Sequence, residues 1–132
     1  MIFSQSEIAY LTQQPLGRIA TMQPSGTLQV SPVGFRFNPD LNTIDVQGYR
    51  MAESRKFRNV AENGRVAFVV DDLASTRPWR PRCVEIRGHA EASSESDGTP
   101  IIRIYPERVI SFGLDQENRS AHELRINARD VK

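Results

Sequence analysis

The chain has 132 residues, room for one ordinary domain. Lys and Arg number 17 and Asp and Glu 16, so the formal net charge is +1, without the strongly basic character of a dedicated nucleic-acid binder. One cysteine, Cys83, excludes an intramolecular disulfide and any multi-cysteine zinc site, and no apolar run approaches the ~20 residues that span a bilayer.

The opening Met1-Ile-Phe-Ser-Gln-Ser-Glu has neither the basic start nor the apolar stretch of a signal peptide, so a soluble cytoplasmic protein is expected. Ser4-Gln-Ser-Glu7 fits a capping box, and Phe3 with Ile8 fits a hydrophobic staple. A short helix over about Gln5–Gln13 follows, ended by Pro15. Leu16 to Met22 alternates as a strand, and Pro24-Ser25-Gly26 reads as the turn of a hairpin. In the returning strand Leu28 and Val30 share one parity, whereas Val33, Phe35 and Phe37 share the other. The switch at Ser31-Pro32 predicts a bulge or bend, and Pro32, which has no N–H, places it at an open strand edge.

Thr43 to Tyr49 reads as a third strand and Ala52 to Asn63 as a helix closed by Gly64. Arg65 to Val70 is a near-continuous apolar run, a strand buried on both faces. Asp71 to Pro81 is predicted as a loop carrying the only tryptophan, Trp79. From Val84 to Ala92 the alternation is strict, with Glu85, Arg87, His89 and Glu91 facing out. Ser93 to Pro100 is a polar turn, and Ile101–Tyr105 and Arg108–Leu114 are two more strands about Pro106-Glu107. The polar tail from about Asp115 is helical or frayed in this reading. About seven strands and two helices, joined by hairpins, predict a mainly β, antiparallel barrel or sandwich occupying residues 1–132 as one domain.

The second helix has the wrong charge at its start. Fifteen of the 17 cations are arginine, and Lys56 is the only lysine before the terminal Lys132. Arg55 and Lys56 follow Ser54 directly, with Arg58 close behind, at an end where the macrodipole already places positive charge. A phosphate would reverse the sign, accepting from the free backbone N–H groups, the Ser54 hydroxyl, Arg55 and Lys56, with Arg50 in reach. The alternative is a solvated helix whose cations pair with Glu53 or Glu62.

Ser54-Arg55-Lys56, Asn59, and Glu62-Asn63-Gly64-Arg65-Val66-Ala67, followed by Arg87-Gly88-His89-Ala90-Glu91, resemble the pyridoxamine 5'-phosphate oxidase superfamily of flavin-binding split β-barrels. The resemblance runs from about Ser4 to Leu114. Val30-Ser31-Pro32-Val33, Trp79-Arg-Pro-Arg82 and Ile110-Ser-Phe-Gly-Leu-Asp115 are similar to the actinobacterial branch that uses the deazaflavin coenzyme F420. The resemblance implies a homodimeric, Greek-key split barrel with its cofactor between subunits. Gln29, Val30, Ser31, Pro32 and Val33 would line the ring, Tyr49 and Arg50 would flank the phosphate, and Ser54, Arg55 and Lys56 would hold it. Trp79 is a candidate to stack on a planar ring, or to plug the dimer interface.

These likenesses imply an oxidoreductase that moves a hydride between F420, or secondarily FMN, and a small-molecule substrate. Nucleic acid, membrane and metal play no part in this reading, and no side chain stands out as a catalytic acid or base. The alternative is a non-catalytic carrier or sensor of FMN, F420 or haem. Two departures set the chain apart from a true oxidase of vitamin B6. Cys83 stands where the resemblance expects a flavin-holding glutamine, and Arg119 and His122 are spaced Arg-x-x-His where substrate binding needs Arg-x-His.

Overall fold

Local signals set the first element. Helix α1 (Gln5–Gln13) opens on a complete capping box, in which Ser4 Oγ accepts from the Glu7 amide while the Glu7 carboxylate accepts from the Ser4 amide. The computed structural model describes residues 2–115 and 121–132. Within them α1 is followed by β1 (Gly17–Met22), β2 (Leu28–Asn38), β3 (Thr43–Gln47), α2 (Arg55–Asn63), β4 (Arg65–Thr76), β5 (Trp79–Ser94), β6 (Pro100–Phe112) and β7 (Asn127–Asp130). All pairings are antiparallel, in the order β3-β2-β1-β4-β5-β6-β7. β3 also pairs with β6, which closes the first six strands into a ring. β6 gives one edge to β5 and divides the other, residues 102–104 going to β3 and 108–111 to β7. Ile19, Val46, Phe68, Ile86 and Ile104 fill the interior, and α1 adds Leu11 and α2 adds Val60.

Five expectations change on contact with this fold. No bulge occurs at Ser31-Pro32: the β1–β2 ladder is continuous from Leu28 opposite Met22 to Val33 opposite Gly17. The strand changes partner instead, and residues 34–38 pair with β3. Gln29, Ser31, Val33, Phe35 and Phe37 turn inward throughout, so the apparent parity switch comes from two apolar residues on the outer face, Leu28 (76% exposed) and Val30 (69%). The open edge does exist, because residues 28–33 have no strand on the side where β3 would have continued.

The predicted loop over Asp71–Pro81 is the tip of a hairpin, with only Arg77 and Pro78 between β4 and β5. Asp71 and Asp72 lie inside β4, where Arg18 and Arg82 neutralise them across neighbouring strands. The two strands expected about Pro106-Glu107 are one strand, β6. Glu107 is an extra residue between Arg108, opposite Arg87, and Pro106, opposite Gly88. A Cβ at position 88 would stand 2.1 Å from the Tyr105 carbonyl oxygen, so the bulge requires glycine there.

The tail is neither one helix nor frayed across its described part, since β7 pairs with β6 and Arg129 reaches Glu7. Residues 116–120, with Arg119, lie outside the described residues. The helix expected from Ala52 divides into a 3-10 turn, Met51–Glu53, and α2, because Ser54 between them is extended and caps the second piece.

Candidate functional site

Asn59 and Asn63 fix α2 against the sheet: Asn59 Nδ2 donates to Thr21 Oγ1 (3.1 Å) and Gln29 Oε1 (3.4 Å), and Asn63 Nδ2 donates to the Met22 carbonyl (2.8 Å). The chain leaves β3 at Gln47, opposite Gly34, and reaches Gln29 at Asn59. Helix α2 is therefore tied to β1 and, through Asn59, to Gln29 on the part of β2 that has no strand partner.

The first turn of α2 contains no acidic residue. Arg55 and Arg58 are exposed and Lys56 is half-buried, and among the described residues none of the three has a carboxylate partner. Pairing with Glu53 is not what holds them, because Glu53 is taken by Arg50 through two hydrogen bonds. Arg50 has left-handed backbone geometry (φ 55°), and Tyr49 before it is 93% exposed. Ser54 works as the N-cap: its hydroxyl accepts from the Phe57 amide (3.3 Å) and donates to the Met51 carbonyl (2.6 Å). Its proton is thus engaged within the chain. The donors left for an anion are the guanidinium groups, the ammonium group and the free N–H groups of the first turn.

Beneath this turn sits a polar cluster. Asn59 is 1% exposed, and its Oδ1 is buried with no hydrogen-bond partner. Thr21 Oγ1 and Asn59 Nδ2 both donate to Gln29 Oε1, which orients the Gln29 amide. The sequence reading gives Thr21 no role and names Asn59 only within the family resemblance, without a function. A signal was present, since Asn59 falls on the helix side that also holds Lys56, Val60 and Asn63.

Trp79 lies elsewhere. It opens β5, separated from the free edge of β2 by β1 and β4, about three strand spacings of ~4.8 Å. It borders a cavity of about 720 Å³ whose wall includes Arg18, Val69, Leu73, Arg82 and Phe112. Arg18 and Val69 also line a depression of about 290 Å³ that reaches Val30. Cys83 is a buried thiol in the cavity wall, pushed up to about 11 by burial and by the Asp71 and Glu85 carboxylates. Among the described residues no three His, Cys, Asp or Glu side chains are grouped to hold a metal ion, and no helix is long and apolar enough to cross a membrane.

A mainly β chain whose antiparallel sheet closes into a ring, with two short helices packed against it, defines a split barrel. The chain belongs to the pyridoxamine 5'-phosphate oxidase family, which matches residues 5–132. A 5a,11a-dehydrotetracycline/5a,11a-dehydrooxytetracycline reductase of Streptomyces rimosus subsp. rimosus is 40% identical over 138 residues, covering 99% of this chain and 94% of its own. Two solved structures share the fold at lower identity. A conserved hypothetical protein of Mycobacterium tuberculosis superposes with a TM-score of 0.70 at 20% identity, covering 89% of both chains. The FAD binding protein from Mycobacterium smegmatis gives 0.63 at 18% identity, covering 96% of this chain and 98% of its own.

Proposed function

We propose that this chain is a reductase of small organic molecules that binds a phosphate-bearing flavin-type cofactor, with coenzyme F420 as first choice and FMN as second. One observation carries the reading: Arg55 and Lys56 stand at an acid-free helix start without a carboxylate partner. Cations there oppose the helix macrodipole, and a phosphate would turn that repulsion into charge-assisted hydrogen bonds. The residues present therefore fit a phosphate. Arg55 offers a two-pronged donor, Lys56 a point charge, and Arg50, ahead of the 3-10 turn Met51–Glu53, is available as a further donor once it leaves Glu53. Tyr49, fully open beside Arg50, is positioned to cover the phosphate end. Gln29 to Val33 present the strand edge and side chains against which a ring would lie, with the Gln29 amide oriented by Thr21 and Asn59. Ser54 contributes by capping α2 and so aiming its free N–H groups.

Either cofactor, when bound, supplies a hydride, and a proton from water completes reduction of the substrate. The reductase at 40% identity supports this direction and this substrate class, an unsaturated polycyclic ketone. The outer face carrying Leu28 and Val30 supports a homodimer, since two exposed apolar side chains on neighbouring positions of one strand suit an isologous contact. Oxidation of pyridoxine 5'-phosphate is not expected, even with saturating FMN, because of Cys83 and the Arg119/His122 spacing.

The test is direct. F420, FMN and haem are titrated separately into the purified chain, and the reduced form of the one that binds is then mixed anaerobically with 5a,11a-dehydrotetracycline. Saturable binding of F420 or FMN, followed by reoxidation in step with product, is expected. Saturable binding of haem alone, or of none of the three, overturns the reading. Light scattering that gives a monomer mass at micromolar concentration with cofactor tightly bound rejects the shared site.

A further inference from the structure

We infer that the cavity between the β4–β5 hairpin and β1 receives the substrate, and that Trp79 is the surface on which a flat, fused-ring substrate stacks. This rests on the reductase reading above and says where and how its substrate is chosen. The volume, about 720 Å³, falls within the roughly 300–1,000 Å³ of small-molecule sites. One wall is apolar: Val69, Leu73, Trp79 and Phe112. Trp79 is 55% exposed, and among the described residues its ring meets no other ring and its indole N–H has no acceptor. A large aromatic side chain left open at a concave site offers a stacking platform and a donor at its edge.

The polar part of the lining is already ordered. Asp72 accepts two bonds from Arg82 and one from the Tyr10 hydroxyl (2.8 Å). Arg18 reaches Asp71 through Nη1 alone (2.5 Å), and its other N–H groups have no partner among the described residues. Two arginines and two aspartates in this lining leave no net charge, so it suits neutral oxygens, the carbonyl and hydroxyl groups along one edge of a polycyclic substrate, better than a phosphate dianion. The phosphate cations sit at the other site, on α2. Position also agrees: Arg18 and Val69 border both this cavity and the depression that reaches Val30 on β2, so an extended fused-ring substrate stacked on Trp79 reaches along that depression toward a ring held at Val30. Hydride transfer requires that adjacency.

Trp79 is the only tryptophan, so its emission reports occupancy without any cofactor. Tetracycline titrated into the whole chain should quench that emission to a plateau, and purely linear quenching overturns the inference. Trp79→Ala should weaken tetracycline binding at least tenfold by calorimetry while F420 and FMN affinities change less than twofold, and Trp79→Phe should restore most of it. Leu73→Arg, at a half-exposed position of the apolar wall, should block the cavity with the same selectivity and stands as the second variant if Trp79→Ala folds poorly. Equal losses of tetracycline and cofactor in these variants would assign Trp79 to the cofactor instead, and unchanged affinity for both would remove the cavity from the substrate path. Either outcome overturns the inference. A wild-type chain that binds tetracycline at Trp79 but neither cofactor refutes the reductase reading alone.

Discussion

At the α1 end of the barrel Glu7 is 1% exposed, and its two oxygens accept four hydrogen bonds, from the Ser4 amide, the Ser111 hydroxyl and both terminal nitrogens of Arg129. Arg129 Nη2 also bonds the Ile2 carbonyl. At the α2 end, among the described residues Arg55, Lys56 and Arg58 pair with no carboxylate, and Asn59 Oδ1 is buried without a partner. Both ends concentrate polar groups next to a helix start. Charge that the fold itself needs is satisfied inside the chain, and it ties β7 and α1 together. In the proposed reading, charge left unpaired at the start of α2 has its complement outside the chain, and this contrast separates the structural ion pairs from the proposed site.

Arg129→Ala should break the first pattern most severely. It leaves the Glu7 carboxylate buried with one partner side chain fewer, and loss of about 3–5 kcal/mol is expected from denaturant unfolding. A loss below ~1 kcal/mol would erase the distinction between the two ends. A smaller effect follows from pH. Burial alone would raise the Glu7 carboxyl, but its bonds from Arg129, Ser111 and Ser4 outweigh burial and hold it below its ordinary value. A carboxyl depressed in the folded state adds stability that is present above the unfolded value, about 4.3, and disappears as pH falls through the lower folded value. Wild-type stability should therefore decline below about pH 4.5, and Glu7→Gln should flatten that decline in acid unfolding curves. Asp72, lowered chiefly by its bonds from Arg82, adds a decline of the same sign. Ser54→Ala removes an N-cap and should cost about 1 kcal/mol of stability, read from melts, because at the α2 end the hydroxyl is the structural group. Arg58→Ala should change stability by less than about 0.5 kcal/mol, as for an exposed side chain with no partner.

What the sequence made legible was local. The α1 cap is written within four residues, and strand β5 shows its period because each side chain met a medium of its own polarity. The cations of α2 were legible because their conflict with the macrodipole lies within one turn. What was misread depended on distance along the chain. Asp71 looked like a loop residue, and its partner Arg18 is 53 residues away. The tail looked unanchored, and Arg129 meets Glu7 across 122 residues. Leu28 and Val30 suggested burial in this chain's own core, which put a false bulge at Ser31-Pro32. Hydrophobicity records that a residue avoids water but not which face it stands on. The bonds that Asn59 and Thr21 make escaped for the same reason as that of Asp71, because their shared partner Gln29 belongs to another element.

In the proposed site, Arg55 and Lys56 at the start of α2 hold a cofactor phosphate. Titration of F420 and FMN by fluorescence into wild type, Lys56→Ala and Arg58→Ala, beside thermal melts of the cofactor-free proteins, tests it. Lys56→Ala should bind the preferred cofactor about ten- to hundredfold more weakly, about 1.5–3 kcal/mol for one charge-assisted contact. Its melting temperature should be unchanged or slightly raised, since a cation leaves the positive end of a helix. Arg58→Ala, on the exposed side of the turn, should stay within about twofold of wild type. A Lys56→Ala protein that binds both cofactors as tightly as wild type, or that loses stability instead of affinity, would place the anion site elsewhere and contradict the account.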